Sequence, residues 1–124
     1  MEILGIGVDL VEVERVHRMM GRHPTFVDRV FTAPEIAYCR RQATPAECFA
    51  ARWAAREAAR KALGGVRGMR WHDVRVERAE SGAPRLAVQG ASLARMEALG
   101  VTEVLVALTH ERRMAAAFCL AVRS

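Results

Sequence analysis

Apolar residues at Ile3, Leu4, Ile6 and Val8 have the density of a buried strand, after which the spacing lengthens through Val11, Val13, Val16, Met19 and Met20 toward a helical period. The strand is expected to end near Asp9, and Gly21 and Pro24 to close the first helix. Thr32-Ala-Pro-Glu35 reads as a capping box with proline just inside, opening a short helix through about Arg41. Thr44-Pro-Ala-Glu47 repeats the signature and opens a long helix that Gly64 and Gly65 stop. Beyond Gly68 the period becomes two, with Val74 and Val76, the turn Ser81-Gly-Ala-Pro84, then Leu86 and Val88, which is a β-hairpin. Gly90 to Gly100 holds one more helix. Val101 to Thr109 reads as a buried strand with Val104, Val106 and Leu108 on one face. Met114 to Val122 reads as a last strand, paired to it across His110-Glu-Arg-Arg113.

A chain of 124 residues without linker or repeat implies one domain, 1–124, around one core. It is 52% hydrophobic but only 6% aromatic, so Val, Leu, Ala and Met are expected to fill that core. No apolar run nears the roughly 20 residues that span a bilayer, and MEILGIGVDL lacks a basic region and a cleavage site. The expectation is a cytoplasmic protein with no membrane partner. Cys39, Cys48 and Cys119 are odd in number and lack metal-type spacing, so reduced, packed thiols are expected.

The net charge of +5 is carried mostly by arginine and implies an acidic partner: nucleic acid, an anionic protein or a polyphosphate cofactor. High-GC coding or heat adaptation would produce the same bias. Arginines 15, 18, 22, 29, 40, 41, 52, 56 and 60 are spread around their helices, and no nucleic-acid-binding signature accompanies them, so no nucleic acid is expected.

The segment FAARWAAREAARKALG, residues 49–64, puts Glu57 and Lys61 on one helical face. A carboxylate that can hold Mg²⁺ beside a lysine that can hold phosphate is what phosphoryl chemistry requires, although the same i,i+4 pair also laces ordinary exposed helices. Asp9, at the expected end of the first strand, could join Glu57 around a hard cation or could cap the following helix. His110, in the expected turn, could serve as acid, base or phosphate donor.

Taken together, GIGVDLVEVERV, FTAPEIAYC, FAARWAAREAARKALG, SGAP and LTHERRMAAA resemble the holo-acyl-carrier-protein synthase branch of the 4'-phosphopantetheinyl transferases, from about Ile3 to Val122. The resemblance implies an α+β fold with an antiparallel sheet packed on a long helix, assembled as a homotrimer with sites between subunits. It also implies transfer of the 4'-phosphopantetheine arm of coenzyme A to a serine of an acyl carrier protein. Asp9 and Glu57 match the family's Mg²⁺ carboxylates, Lys61 the lysine near the coenzyme A phosphates, and Arg52 and His110 positions lining the coenzyme site. The serine's base is left open, with a bound water, Glu57 and Glu35 as candidates. Arg15, Arg22 and Arg29 are expected to offer the first helix's basic edge to the acidic carrier protein. Arg56 stands where the family commonly has lysine, and Ala107 where it commonly has serine. Competing readings are an inactive homologue that only binds the carrier and a basic nucleic-acid module.

Overall fold

The computed structural model describes residues 1–124. A three-stranded antiparallel sheet has β5 (Met114–Arg123) at its centre, flanked by β1 (Glu2–Glu12) and β4 (Glu103–His110). A separate hairpin pairs β2 (Val74–Arg78) with β3 (Pro84–Val88), as the period-two pattern and the Ser81–Pro84 turn predict. Helices α1 (Val13–Arg22), α2 (Phe26–Val30) and α3 (Ala33–Arg40) precede the long α4 (Pro45–Ala62), and α5 (Gly90–Leu99) lies between the hairpin and β4.

The core is built on the small residues of α4. Ala50, Ala51, Ala54, Ala55, Ala58 and Ala59 are all buried, and α4 packs on β1 and β5. Across from them, β5 presents Ala115, Ala117, Cys119 and Ala121 at every second position, and β1 presents Gly5 and Gly7. Short side chains on both surfaces let the backbones approach closely and gather dispersion contacts that larger residues would prevent. A Cβ on Gly7 would overlap the Ala58 carbonyl, and one on Gly5 the Ala62 carbonyl. Gly7→Ala is therefore expected to lower the thermal midpoint by about 10 °C or more, the effect of a few kcal/mol of overpacking. A melt unchanged from wild type would show that α4 can shift away. Phe31, Phe49 and Leu63 are fully buried as well, so aromatics fill more of the core, and leucine and methionine less, than composition implies.

Several expectations need correction. The first strand runs to Glu12, three residues past its expected end, because Asp9, Leu10 and Val11 continue the ladder to Ala117, Ala116 and Ala115. Asp9 thus lies inside β1 and caps no helix; Glu12 is the N-cap, without a side-chain bond. Nor is β1 a buried strand in this chain. Its helix side is taken by glycine, and Ile6, Val8 and Leu10 on the other side are 62%, 59% and 65% exposed. The short α2 has no signal in the pattern and carries Arg29, which is consequently not on the first helix.

The first capping box forms, with Glu35 Oε1 accepting from the Thr32 N–H and hydroxyl. The second does not close. Thr44 does precede α4, but Glu47 turns away to His110. His110 itself is the last residue of β4, opposite Ala115, and not part of the turn. Cys39 and Cys48 form a disulfide, contrary to the expected reduced thiols, because the end of α3 and the start of α4 bring their Cα atoms to 5.4 Å. Only Cys119 remains a free thiol, and burial pushes its pKa up to about 12.

Candidate functional site

Asp9 from β1 and Glu57 from α4 line one cavity of about 490 Å³, together with Glu12, Arg15, Trp53 and Met114. Sequence separation hides this meeting; the close packing of glycine-bearing β1 on alanine-rich α4 produces it. The Lys61 ammonium donates to Asp9 Oδ1 at 3.0 Å and to the Val8 carbonyl at 3.2 Å. It does not lace Glu57. That carboxylate accepts instead from Arg60 Nη2 at 2.8 Å, through an i,i+3 pair. Asp9 and Glu57 are 15% and 19% exposed, shielded but open to the cavity.

A second cavity of about 280 Å³ collects Arg52 and His110 with Tyr38, Thr44, Cys48 and Arg78. Arg52 is 3% exposed, its guanidinium 4.5 Å from the centre of the Tyr38 ring and its Nη1 donating to Cys48 Sγ. Arg78 lies 4.9 Å from the same ring. Desolvation, and less strongly the Arg78 and Arg56 charges, hold the Arg52 pKa below that of a free guanidinium, against the opposing pull of Glu35 and Tyr38. Its Nε is buried without a partner. A pair of guanidiniums with an unused donor is an environment that favours an anion. His110 Nδ1 lies 2.9 Å from Glu47 Oε1, and that contact leads the causes that hold the Glu47 carboxyl below its ordinary range.

The expected site residues are therefore not all brought together. Arg15 joins Asp9 and Glu57, whereas Arg29 lines a third cavity of about 310 Å³ with Met19, Phe26, Trp53 and Trp71. Arg22 stands exposed at the end of α1. Glu35 lies outside the candidate cavities. It is 2% exposed and accepts two bonds from Arg56, at 3.0 and 2.6 Å, and one from the Val76 N–H. A carboxylate so fully engaged is no candidate for the serine's base. Arg56 is likewise a buried structural cation and not a surface charge.

Asp9 and Glu57 both line the first cavity and offer hard carboxylate oxygens, the ligand type that Mg²⁺ takes beside water and phosphate oxygens. The structure contains no group of three or more His, Cys, Asp or Glu that could hold an ion.

Known proteins share this sequence pattern and this fold. Residues 5–119 match the model of the 4'-phosphopantetheinyl transferase superfamily. A holo-[acyl-carrier-protein] synthase of Anaeromyxobacter sp. (strain K) is 46% identical over 119 residues, 93% of this chain and 92% of the relative. The crystal structure of the Neisseria meningitidis holo-[acyl-carrier-protein] synthase superposes with a TM-score of 0.86 at 28% identity, covering 98% of this chain and 99% of that one. A Bacillus anthracis holo-(acyl-carrier-protein) synthase, solved in complex with CoA (3',5'-ADP), gives 0.80 at 26% identity over the whole of both chains. With matching motifs, a matching fold and near-complete coverage, this chain belongs to the holo-[acyl-carrier-protein] synthase family of the 4'-phosphopantetheinyl transferase superfamily.

Proposed function

We propose that residues 1–124 act as one transferase domain that moves the 4'-phosphopantetheine arm of coenzyme A onto a serine of apo-acyl carrier protein, dependent on Mg²⁺. The observation that carries the metal site is the convergence of Asp9 and Glu57 on one cavity, with Lys61 bonded to Asp9. In the reaction the serine oxygen bonds to the phosphorus that bears the arm, and the bond from that phosphorus to the leaving adenosine 3',5'-bisphosphate breaks. The serine proton is released.

Asp9 and Glu57 would hold Mg²⁺, and the ion would supply charge neutralisation for the pyrophosphate and its leaving group. Asp9 and Glu57 orient from rigid elements, a strand interior and a helix, so little reorganisation is needed. Lys61 adds a movable point charge beside Asp9. Arg52, with its unused Nε, and His110 offer donors to the anionic nucleotide end of coenzyme A. Arg15, Arg22 and Arg29 steer the acidic carrier protein toward the cavity. Intact-mass measurement of apo-acyl carrier protein incubated with this chain, coenzyme A and Mg²⁺ will show a gain of one phosphopantetheine arm, abolished by EDTA. No gain with several carrier proteins would leave the inactive-homologue reading.

The same proposal places three copies around the exposed face of β1. Ile6, Val8 and Leu10, with Phe118 opposite Val8, form an apolar surface that one chain leaves in water. As the resemblance implies, such an assembly would put sites between subunits, joining the Arg52 and His110 cavity of one copy to the Asp9 and Glu57 cavity of the next, which one chain keeps separate. Light scattering on the gel-filtered protein is expected to give a trimer mass, and Ile6→Glu to shift it to monomer. A monomeric wild type at micromolar concentration would contradict this. No helix is long and apolar enough to cross a membrane.

A further inference from the structure

Each carboxylate of the candidate metal site is already paired with a cation from α4. Lys61 holds Asp9 Oδ1 at 3.0 Å and Arg60 holds Glu57 Oε2 at 2.8 Å. These four charges sum to zero, so a divalent ion enters a locally neutral site whose anions are engaged. Arg60 reaches Glu57 from the far side. It lines a small cavity of about 270 Å³ with Val66, Gly68, Met69 and Trp71, and Glu57 borders both that cavity and the one containing Asp9. The guanidinium can therefore hold the carboxylate without blocking the Asp9 side. A metal on the same carboxylate would nevertheless share its charge and sit close to a fixed positive group.

We propose that Arg60 is a positioning residue that competes with the divalent cation for Glu57 and thereby sets the metal concentration at which the site fills. The inference rests on Asp9 and Glu57 being the metal carboxylates. An i,i+3 pair on an exposed helix would ordinarily have no such consequence, but this glutamate is 19% exposed and shares a cavity with a second carboxylate. Arg60 is 40% exposed, so the competition is moderate and screened by salt.

The test is titration of the full-length, ligand-free chain with Mn²⁺ at low ionic strength, following free Mn²⁺ by its electron paramagnetic resonance signal. Arg60→Gln is expected to tighten Mn²⁺ binding by about two- to fivefold, the size of an exposed ion pair converted to a binding ratio. Arg60→Lys should fall between the two. The difference should shrink in about 0.5 M salt, as screening requires. A merely structural role for Arg60 would leave Mn²⁺ binding unchanged or weaker in Arg60→Gln, and would not give a tightening that salt removes. Unchanged or weaker binding in Arg60→Gln, with Asp9→Asn and Glu57→Gln both losing Mn²⁺, would overturn the competition and leave the metal site standing. Wild-type Mn²⁺ binding in both Asp9→Asn and Glu57→Gln would overturn the metal site, and this inference with it.

Discussion

Asp9→Ala and Glu57→Ala will each lower transfer of the phosphopantetheine arm by at least about a hundredfold to a thousandfold while leaving the chain folded. Removing one group that stabilises developing charge has that size of effect in a shielded site, and each substitution here removes half of the proposed metal's protein ligands. The fold should tolerate both. Asp9 is bonded through its side chain only to Lys61, which keeps the Val8 carbonyl as an acceptor, and Glu57 is bonded only to the half-exposed Arg60. Lost exposed pairs cost about 0.2–1 kcal/mol. The check is turnover measured by the mass of the carrier protein, beside near-ultraviolet circular dichroism and a thermal melt. Retained turnover in both variants would remove Asp9 and Glu57 from the metal site, whereas lost turnover with a lost fold would relocate their role to stability.

The largest stability effect is expected at Glu35 and Arg56. Two arginine nitrogens bind Glu35 while Nε reaches the Trp71 carbonyl at 2.9 Å, and the carboxylate also collects the N–H groups of Thr32 and Val76. One ion pair thus joins the start of α3, the middle of α4, the 3₁₀ turn Trp71–Asp73 and the hairpin. Arg56→Ala strands a buried carboxylate, and breaking such a pair costs about 3–5 kcal/mol. Against a typical total of about 5–15 kcal/mol, the melting point should fall by about 10 °C or more. Arg56→Lys should recover only part, because a single ammonium cannot reproduce a planar fork bound to four acceptor atoms.

The pH dependence has a definite sign. Burial raises the Glu35 carboxyl, but the hydrogen bond and charge of Arg56, with the two backbone N–H groups, outweigh it and leave its pKa below the ordinary 4.5. A carboxyl whose folded pKa is depressed contributes stability that is present above its unfolded pKa. That stability is lost as pH falls through the folded value. Denaturant midpoints should therefore fall below pH 4.5, and this acid sensitivity should be smaller in a Glu35→Gln variant, which keeps the depressed Glu47. An equal acid slope in both proteins would assign the effect to other carboxylates.

Local chemistry alone was enough to read the hairpin from its alternation and turn, α4 from its N-terminal proline and terminal glycines, and α3 from a box that Thr32 and Glu35 close within one helical turn. The candidate residues of the site came instead from the resemblance to a family. Asp9, Glu57, Lys61, Arg52 and His110 stand in motifs whose order along the chain reveals the family before any contact is known. Tertiary structure decided what those residues touch. Lys61 lies one turn from Glu57 but bonds Asp9, because β1 passes beside α4 and offers it a carboxylate and a carbonyl together. Glu47 left its capping box because His110, distant in sequence, lies beside it. Cys39 and Cys48 became partners through a helix junction that cysteine counting does not register. The same limit explains β1. Periodicity reports that one face of a strand must be covered, but here glycine meets the helix and the large apolar residues face outward. Short-range propensity is a property of a few neighbouring residues and can be read in order, whereas the partners of a charge, a thiol or an apolar face are set by packing among elements far apart in the chain.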